Sequence, residues 1–108
     1  MSLSTHVLDA MTGRPAAGLA VRLEERVDGE WRTAARGATD ADGRIGALGD
    51  PGAGVHRLHF DTGAYFEAAG VATFYPEVTV TFTVVDPAGH HHVPLLLSPF
   101  AFSTYRGS

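Results

Sequence analysis

The sequence predicts an all-β protein, a sandwich of about eight short strands with one short helix. Apolar and polar residues alternate along most of the chain, which is the period of a half-buried strand. Clusters of Gly, Pro and Asp interrupt this alternation at regular intervals, as the turns of a sandwich do. Only one stretch has helical character. The chain has 108 residues, so we expect one domain covering residues 1–108.

The first half of the chain contains five of the predicted strands. They are Leu3 to Asp9, Leu19 to Glu24, Trp31 to Ala38, Arg44 to Leu48 and Val55 to Phe60. The pair Asp28-Gly29 predicts a tight hairpin between the second and third strands. The turn-forming residues from Met11 to Pro15, Thr39 to Gly43 and Gly49 to Gly54 predict loops.

The second half begins with the predicted helix, Gly63 to Ala69, which two glycines bound. The strand from Glu77 to Val85 follows, with valines and a phenylalanine on one face and threonines on the other. The turn Asp86 to Gly89 then folds the next strand, His90 to Leu97, back beside it. Pro99 separates this strand from the last, Ala101 to Arg106.

Composition excludes several classes of function. Twelve acidic residues stand against eight basic ones, without a run of like charges, which argues against a nucleic acid or an anionic membrane as partner. All eight basic residues are Arg and Cys is absent, so lysine Schiff bases, thiol nucleophiles and disulfides are excluded. We find neither a signal segment nor a membrane span, and expect a cytoplasmic protein.

Six histidines in so short a chain need an explanation, since three of them stand together at His90, His91 and His92. Strand geometry places His90 and His92 on one face and His91 on the other. The pair can chelate a metal with His6 or His59 as third ligand, or act in acid-base catalysis. The pair can also be no more than the solvated start of a strand. Taken alone, the three consecutive histidines favour this last interpretation.

Arg44 directly follows the turn from Asp40 to Gly43. Its guanidinium can polarise a carbonyl or clamp an anion, or it can simply pair with a neighbouring acid. The segment from Gly13 to Arg44 also resembles carboxypeptidase-regulatory-like and adhesin sandwich repeats, which have no catalytic role. This half of the chain therefore predicts a fold and leaves the function open.

The C-terminal third carries a more specific pattern. His90 to Pro99, followed by Ser103 to Ser108, closely resembles the 5-hydroxyisourate hydrolases, transthyretin-related enzymes of urate breakdown. The opening Leu3 to Asp9 and the central Phe74 to Val78 match as well, so the resemblance covers essentially the whole chain. The carrier transthyretin shares the fold but lacks the Tyr-Arg-Gly-Ser ending and the paired histidines. The chain departs from the common form at His91, where many relatives have Tyr.

The resemblance implies a transthyretin-like (prealbumin) β-sandwich of eight strands with one short helix. It also implies a homotetramer, a dimer of dimers, whose active sites lie in the channel between dimers. Four short chains then supply the walls that one chain of this size cannot, because a domain of about 100 residues has few residues to enclose a deep pocket. The implied reaction is hydrolysis of a cyclic amide C–N bond of 5-hydroxyisourate to 2-oxo-4-hydroxy-4-carboxy-5-ureidoimidazoline. No cofactor and no metal are implied.

Carried over position by position, the resemblance assigns catalysis to His6, Arg44, His92 and Ser108. His6, Arg44 and Ser108 also bind substrate, together with Tyr105 and Arg106. The residue chemistry suits the reaction: His6 and His92 position and deprotonate water while Arg44 polarises the attacked carbonyl. The ureide edge is held by Tyr105, Arg106 and the Ser108 hydroxyl or terminal carboxylate. Which histidine is the principal base stays open.

The remaining histidines are expected to do no chemistry. His90 is a neighbour behind the pair, while His56, His59 and His91 have ordinary structural roles. Two rival functions remain: a transthyretin-like carrier of a small ligand in the same channel, and an adhesin-type structural sandwich. The C-terminal third argues against both, because a carrier needs neither the histidine pair nor the ending.

Overall fold

The computed structural model describes residues 3–108, and their strands form two sheets. The first sheet has the order β2-β1-β8-β9, with β5 also paired to β1. Its strands are β1 (Leu3–Asp9), β2 (Arg14–Pro15), β5 (Arg44–Ile45), β8 (His91–Ser98) and β9 (Ala101–Thr104). The second has the order β4-β3-β6-β7. Its strands are β3 (Ala20–Val27), β4 (Glu30–Ala38), β6 (Gly54–Phe60) and β7 (Val78–Val84), and helix α1 (Thr62–Ala68) follows β6 in the chain.

The predicted sandwich with one short helix is confirmed, but the described residues form nine strands instead of eight. The added strand is β2, which lies in a segment predicted to be a loop. Its two residues pair with the end of β1, and the N–H of Ala16 donates to the Val7 carbonyl at 2.9 Å. Pro15 is acceptable there because a strand at the edge of a sheet has no need of every N–H.

The core lies between the two sheets, where the alternating side chains of both meet. Leu3, Val7 and Leu95 from the first sheet and Leu58 and Phe60 from the second are at most 1% exposed. Burial of such side chains stabilises the fold by about 1.5–3 kcal/mol each. The predicted alternation is therefore confirmed, and it leaves every second residue of β1 and β8 facing outward.

The predicted hairpin between β3 and β4 is also confirmed. Val27 pairs with Glu30 across a two-residue turn, and both turn residues have positive φ, 53° at Asp28 and 79° at Gly29. A type I′ turn needs this conformation at both central positions, and Asp-Gly adopts it readily.

The helix is the one element whose length bears on membranes. It has seven residues, and none of the helices in residues 3–108 is long and apolar enough to cross a bilayer.

Candidate active site

Strand register brings the predicted site residues together on the outer face of the first sheet. Strands β1 and β8 run parallel, with Ser4 opposite His92 and His6 opposite Pro94. On the other side of β1, His6 pairs with Arg44 of β5. Residues opposite each other in a ladder project to the same face. Three segments that are distant in sequence, two of them more than 80 residues apart, thus place two histidines and an arginine on one face of the sheet.

The opposite face of the same strands is closed. Thr5 is 1% exposed and His91 is 8% exposed, so both point into the sandwich. The prediction that His91 faces away from the histidine pair is therefore confirmed. Because its ring is turned inward, the difference from the Tyr of many relatives lies outside the face that carries Ser4 and His92.

The turn before β5 holds Arg44 in place. The Asp40 carboxylate accepts hydrogen bonds from the N–H groups of Asp42 at 2.8 Å and Arg44 at 3.0 Å. Gly43 has a φ of 74°, and a Cβ there would lie 2.5 Å from the Val7 carbonyl oxygen, so only glycine fits. Within residues 3–108 no carboxylate pairs with the Arg44 guanidinium, so the alternative of a simple ion pair with a neighbouring acid is wrong.

One hydroxyl group joins two of the histidines. Ser4 Oγ lies 2.7 Å from His92 Nδ1 and 3.0 Å from His90 Nε2. His90 and His92 therefore share a face, as the period of two predicted. Because Nδ1 of His92 is occupied by this hydrogen bond, Nε2 is the ring nitrogen left for a ligand.

The surroundings of His92 favour its neutral form. Burial lowers the pKa of His92 below the ordinary value of 6.5, and the electrostatic influence of His6, His90 and Arg44 lowers it further. A hydrogen bond to the Ser4 backbone opposes this effect. Burial is the largest of these effects. The ring is consequently neutral, and able to accept a proton, near neutral pH.

Gly107 brings the end of the described chain back onto His92. Its N–H donates to the His92 carbonyl at 2.9 Å, forming an isolated bridge beyond β9. A Cβ at this position would lie 3.0 Å from His92 Cγ and closer still to Cδ2. The chain needs glycine here for space rather than for backbone freedom, since Gly107 is not among the glycines of positive φ. Ser108 is thereby placed at the site.

These residues line a cavity of about 310 Å³, formed by Ser4, Thr5, Arg44, Ile45, Gly46, His90, His92 and Ser108. His6 is outside this lining, although it is the direct neighbour of Arg44 on the same face. Tyr105 and Arg106 are exposed and do not line the cavity. Larger cavities, of about 860 and 360 Å³, lie beside α1 and hold no histidine or arginine, so they lack the chemistry of this one.

The structure also bears on the alternative of a metal site. His59, one proposed third ligand, lies on the second sheet and bonds to Glu77. In the described part of the chain, no group of three His, Cys, Asp or Glu side chains is arranged to hold a metal. The imidazoles near His92 are those of His6 and His90, and the other groups there are a hydroxyl and a guanidinium. A guanidinium does not bind metal ions.

The sequence interpretation missed four residues of the cavity lining: Ser4, Thr5, Ile45 and Gly46. Ser4 carried a usable signal, because it lies two residues before His6 and so shares its face. The hydrogen bonds of Ser4 to His90 and His92 had no signal in the sequence, because they depend on the pairing of β1 with β8.

The fold and the cavity together define the class of the protein. It is a β-sandwich of two facing sheets, and one outer face carries a cavity lined by histidine, arginine and serine side chains. The chain belongs to the HIUase/Transthyretin family, whose model matches residues 3–107. A relative named 5-hydroxyisourate hydrolase, from Salmonella dublin, is 49% identical over 98% of this chain and 80% of its own. The solved 5-hydroxyisourate hydrolase of Klebsiella pneumoniae is 41% identical over 100% of both chains, with a TM-score of 0.87.

A transthyretin is also similar to this chain. The sea bream protein, solved in complex with thyroxine, is 37% identical over 99% of this chain and 95% of its own, with a TM-score of 0.93. Backbone similarity alone therefore does not separate hydrolases from carriers. The side chains of the cavity are the better guide, because function depends on a site rather than on a fold.

Proposed function

We propose that this chain is a hydrolase that opens the six-membered ring of 5-hydroxyisourate at a cyclic amide C–N bond, in urate degradation. One observation carries the proposal: His92, held at Nδ1 by Ser4, shares a cavity with Arg44. A base and a fixed cation are what amide hydrolysis requires. The Salmonella and Klebsiella relatives named as hydrolases of this substrate support the same reaction.

The first step is activation of water by His92. Its Nε2 takes a proton from a water molecule as the oxygen attacks the ring carbonyl. Burial, with the influence of the neighbouring basic groups, keeps the pKa of His92 low, so the ring is in its basic form at neutral pH. Such general base catalysis contributes typically about 10²–10⁴-fold in rate. His6, beside Arg44 on the same face, helps to position the water.

Arg44 stabilises the negative charge that develops on the attacked carbonyl oxygen. Its guanidinium stays protonated and offers a planar fork of donors. The Asp40 turn fixes its backbone before substrate arrives, so little reorganisation accompanies the reaction. Ser108, at the same cavity, holds the ureide edge of the substrate by hydrogen bonds, as Tyr105 and Arg106 do in the assembled protein.

We extend the proposal to a homotetramer built from two dimers. Large apolar side chains are exposed on the described chain, including Phe74 at 71%, Phe100 at 68% and Tyr105 at 61%. Exposed apolar groups of this size are typical of surfaces that another chain covers. The cavity is open to solvent in the single chain, so a second chain would supply the wall it lacks. Sedimentation equilibrium measures the assembly, and a monomer at working concentration would contradict it.

We also propose a cytoplasmic location, suited to a small polar substrate, which cell fractionation tests.

The proposed activity is tested by following the ultraviolet decay of 5-hydroxyisourate generated in place by urate oxidase. We expect the unaltered protein to accelerate the decay and His92→Asn to lose about 10²–10⁴-fold of that acceleration. His59→Asn is the matched control, because His59 lies on the other sheet. Full activity of His92→Asn would refute the role of His92. Absence of acceleration by the unaltered protein would refute the enzyme and favour a carrier.

A further inference from the structure

Ser4 and His90 form a continuous hydrogen-bonded path with His92. The path runs from His92 Nδ1 to Ser4 Oγ over 2.7 Å and from Ser4 Oγ to His90 Nε2 over 3.0 Å. Its two ends differ in exposure: Ser4 is only 8% exposed, whereas His90 is open to solvent. The path therefore connects a half-buried base to bulk water through one hydroxyl group.

We propose that Ser4 and His90 are a proton relay, which carries to solvent the proton that His92 takes from water. This inference rests on the proposed function, since it concerns the fate of a proton released in hydrolysis. Neither residue needs to touch the substrate. Ser4 and His90 act through His92 alone. The relay thereby gives a function to His90, for which the sequence analysis expected no chemistry.

Proton balance requires such an exit. Hydrolysis adds the water oxygen to the carbonyl carbon, breaks the C–N bond and places one hydrogen on the leaving nitrogen. The new carboxylic acid ionises at neutral pH, because carboxyl groups have a pKa of about 4. One proton per turnover must therefore leave the site before His92 can act as a base again.

The relay step balances within the three residues. His92, protonated at Nε2, gives its Nδ1 proton to Ser4 Oγ as the Ser4 hydroxyl gives its own proton to His90 Nε2. His90, now protonated on both ring nitrogens, then releases one proton to water through its exposed ring. Serine suits this position because a hydroxyl group donates and accepts at once. Exchange of the ring protons with water restores the starting tautomers.

The charges around His92 drive the proton outward. His6 faces it from β1 and Arg44 from β5, and both disfavour a positive charge on its ring; His90, from the residues preceding β8, does so only while it is protonated. Ser4 is its one side-chain hydrogen-bond partner in residues 3–108. Departure through Ser4 to an exposed ring therefore both relieves this repulsion and follows the available contact.

The test is buffer rescue of His90→Asn. In a dilute buffer of poor proton acceptors we expect kcat to fall about 10²-fold with KM nearly unchanged, the lower range of acid-base effects. Added imidazole should restore kcat, because a soluble base then accepts the proton in place of His90. Ser4→Ala should lose kcat without rescue by imidazole, whereas Ser4→Thr keeps the hydroxyl group and most of the rate. His59→Asn is the control that should respond to none of these conditions.

The outcomes separate the relay from the hydrolase. If the unaltered protein turns over substrate and His90→Asn matches it in dilute buffer, the relay is refuted and the hydrolase stands. A loss of kcat in His90→Asn that imidazole does not restore also refutes it. If the unaltered protein has no turnover, both proposals fail. Urea unfolding of each variant confirms that the rates are those of folded protein.

Discussion

Gly107→Ala tests whether the returning end of the chain sets the position of the His92 ring. The new Cβ would lie 3.0 Å from His92 Cγ and closer still to Cδ2, while ordinary contacts begin at 3.4 Å. The ring has to retreat by about 1 Å to accept it. Misplacement of a reacting group by about 1 Å can cost about 10²-fold in rate. We expect a loss of that size in kcat/KM for 5-hydroxyisourate.

The assay is the initial rate of ultraviolet decay of freshly generated substrate, with urea unfolding measured on the same samples. Gly52→Ala is the matched control, since nothing lies within 4 Å of a Cβ at that position. Overpacking by one methyl group costs about 1–3 kcal/mol, so the variant should remain folded. If Gly107→Ala is as active as the Gly52→Ala control, the close approach does not position His92 and the reasoning is wrong.

Three further predictions concern protonation, the guanidinium and the fold. The neutral ring of His92 is the reactive form, and its pKa lies below 6.5. A pH profile of kcat/KM should therefore be level above pH 6.5 and fall at lower pH. A fall that begins at higher pH would contradict the lowered pKa. Arg44→Lys keeps the charge but loses the planar fork of donors, so kcat/KM should drop about 10²–10³-fold. Arg36→Lys on the second sheet is the control and should match the unaltered protein. Equal rates for both variants would refute the contact of Arg44 with the attacked carbonyl. Tyr65→Phe should lower the free energy of unfolding in urea by about 1–3 kcal/mol with turnover unchanged. The reason is that the Tyr65 hydroxyl donates a hydrogen bond of 2.8 Å to Asp9, which is only 3% exposed. An unaltered unfolding midpoint would show that this bond contributes nothing.

Alternation and turn chemistry predicted most of the fold. The faces of β1, β6 and β7, the inward position of His91 and the Asp28-Gly29 hairpin all follow from local sequence, because a strand has a period of two and few residue pairs accept positive φ. Two features of the fold escaped prediction. The strand after the turn Asp86 to Gly89 does not fold back beside the strand before it, because β7 pairs with β6 in the second sheet whereas β8 pairs with β1 and β9 in the first. The other feature is the short strand β2. Its two residues have no periodicity to read, and they are extended only because the end of β1 offers them partners.

The candidate site was predicted in part. Arg44, His90, His92 and Ser108 line one cavity. The resemblance to the 5-hydroxyisourate hydrolases had assigned Arg44, His92 and Ser108 to the site and His90 to a place beside it. The exposure of Tyr105 and Arg106 was not foreseeable, since local sequence does not say where a chain turns away after its last strand.

By itself the sequence determined which residues face outward, which turns need glycine, and that a paired histidine and an arginine are available for chemistry. Only the tertiary structure decided that these groups meet. The parallel register of β1 with β8 sets Ser4 beside His92 across 88 residues of chain, and the return of Gly107 packs against the same ring. Side-chain alternation says which face a residue occupies but carries no information about which distant strand lies next to it. The path from His92 through Ser4 to His90 therefore exists only in the folded chain.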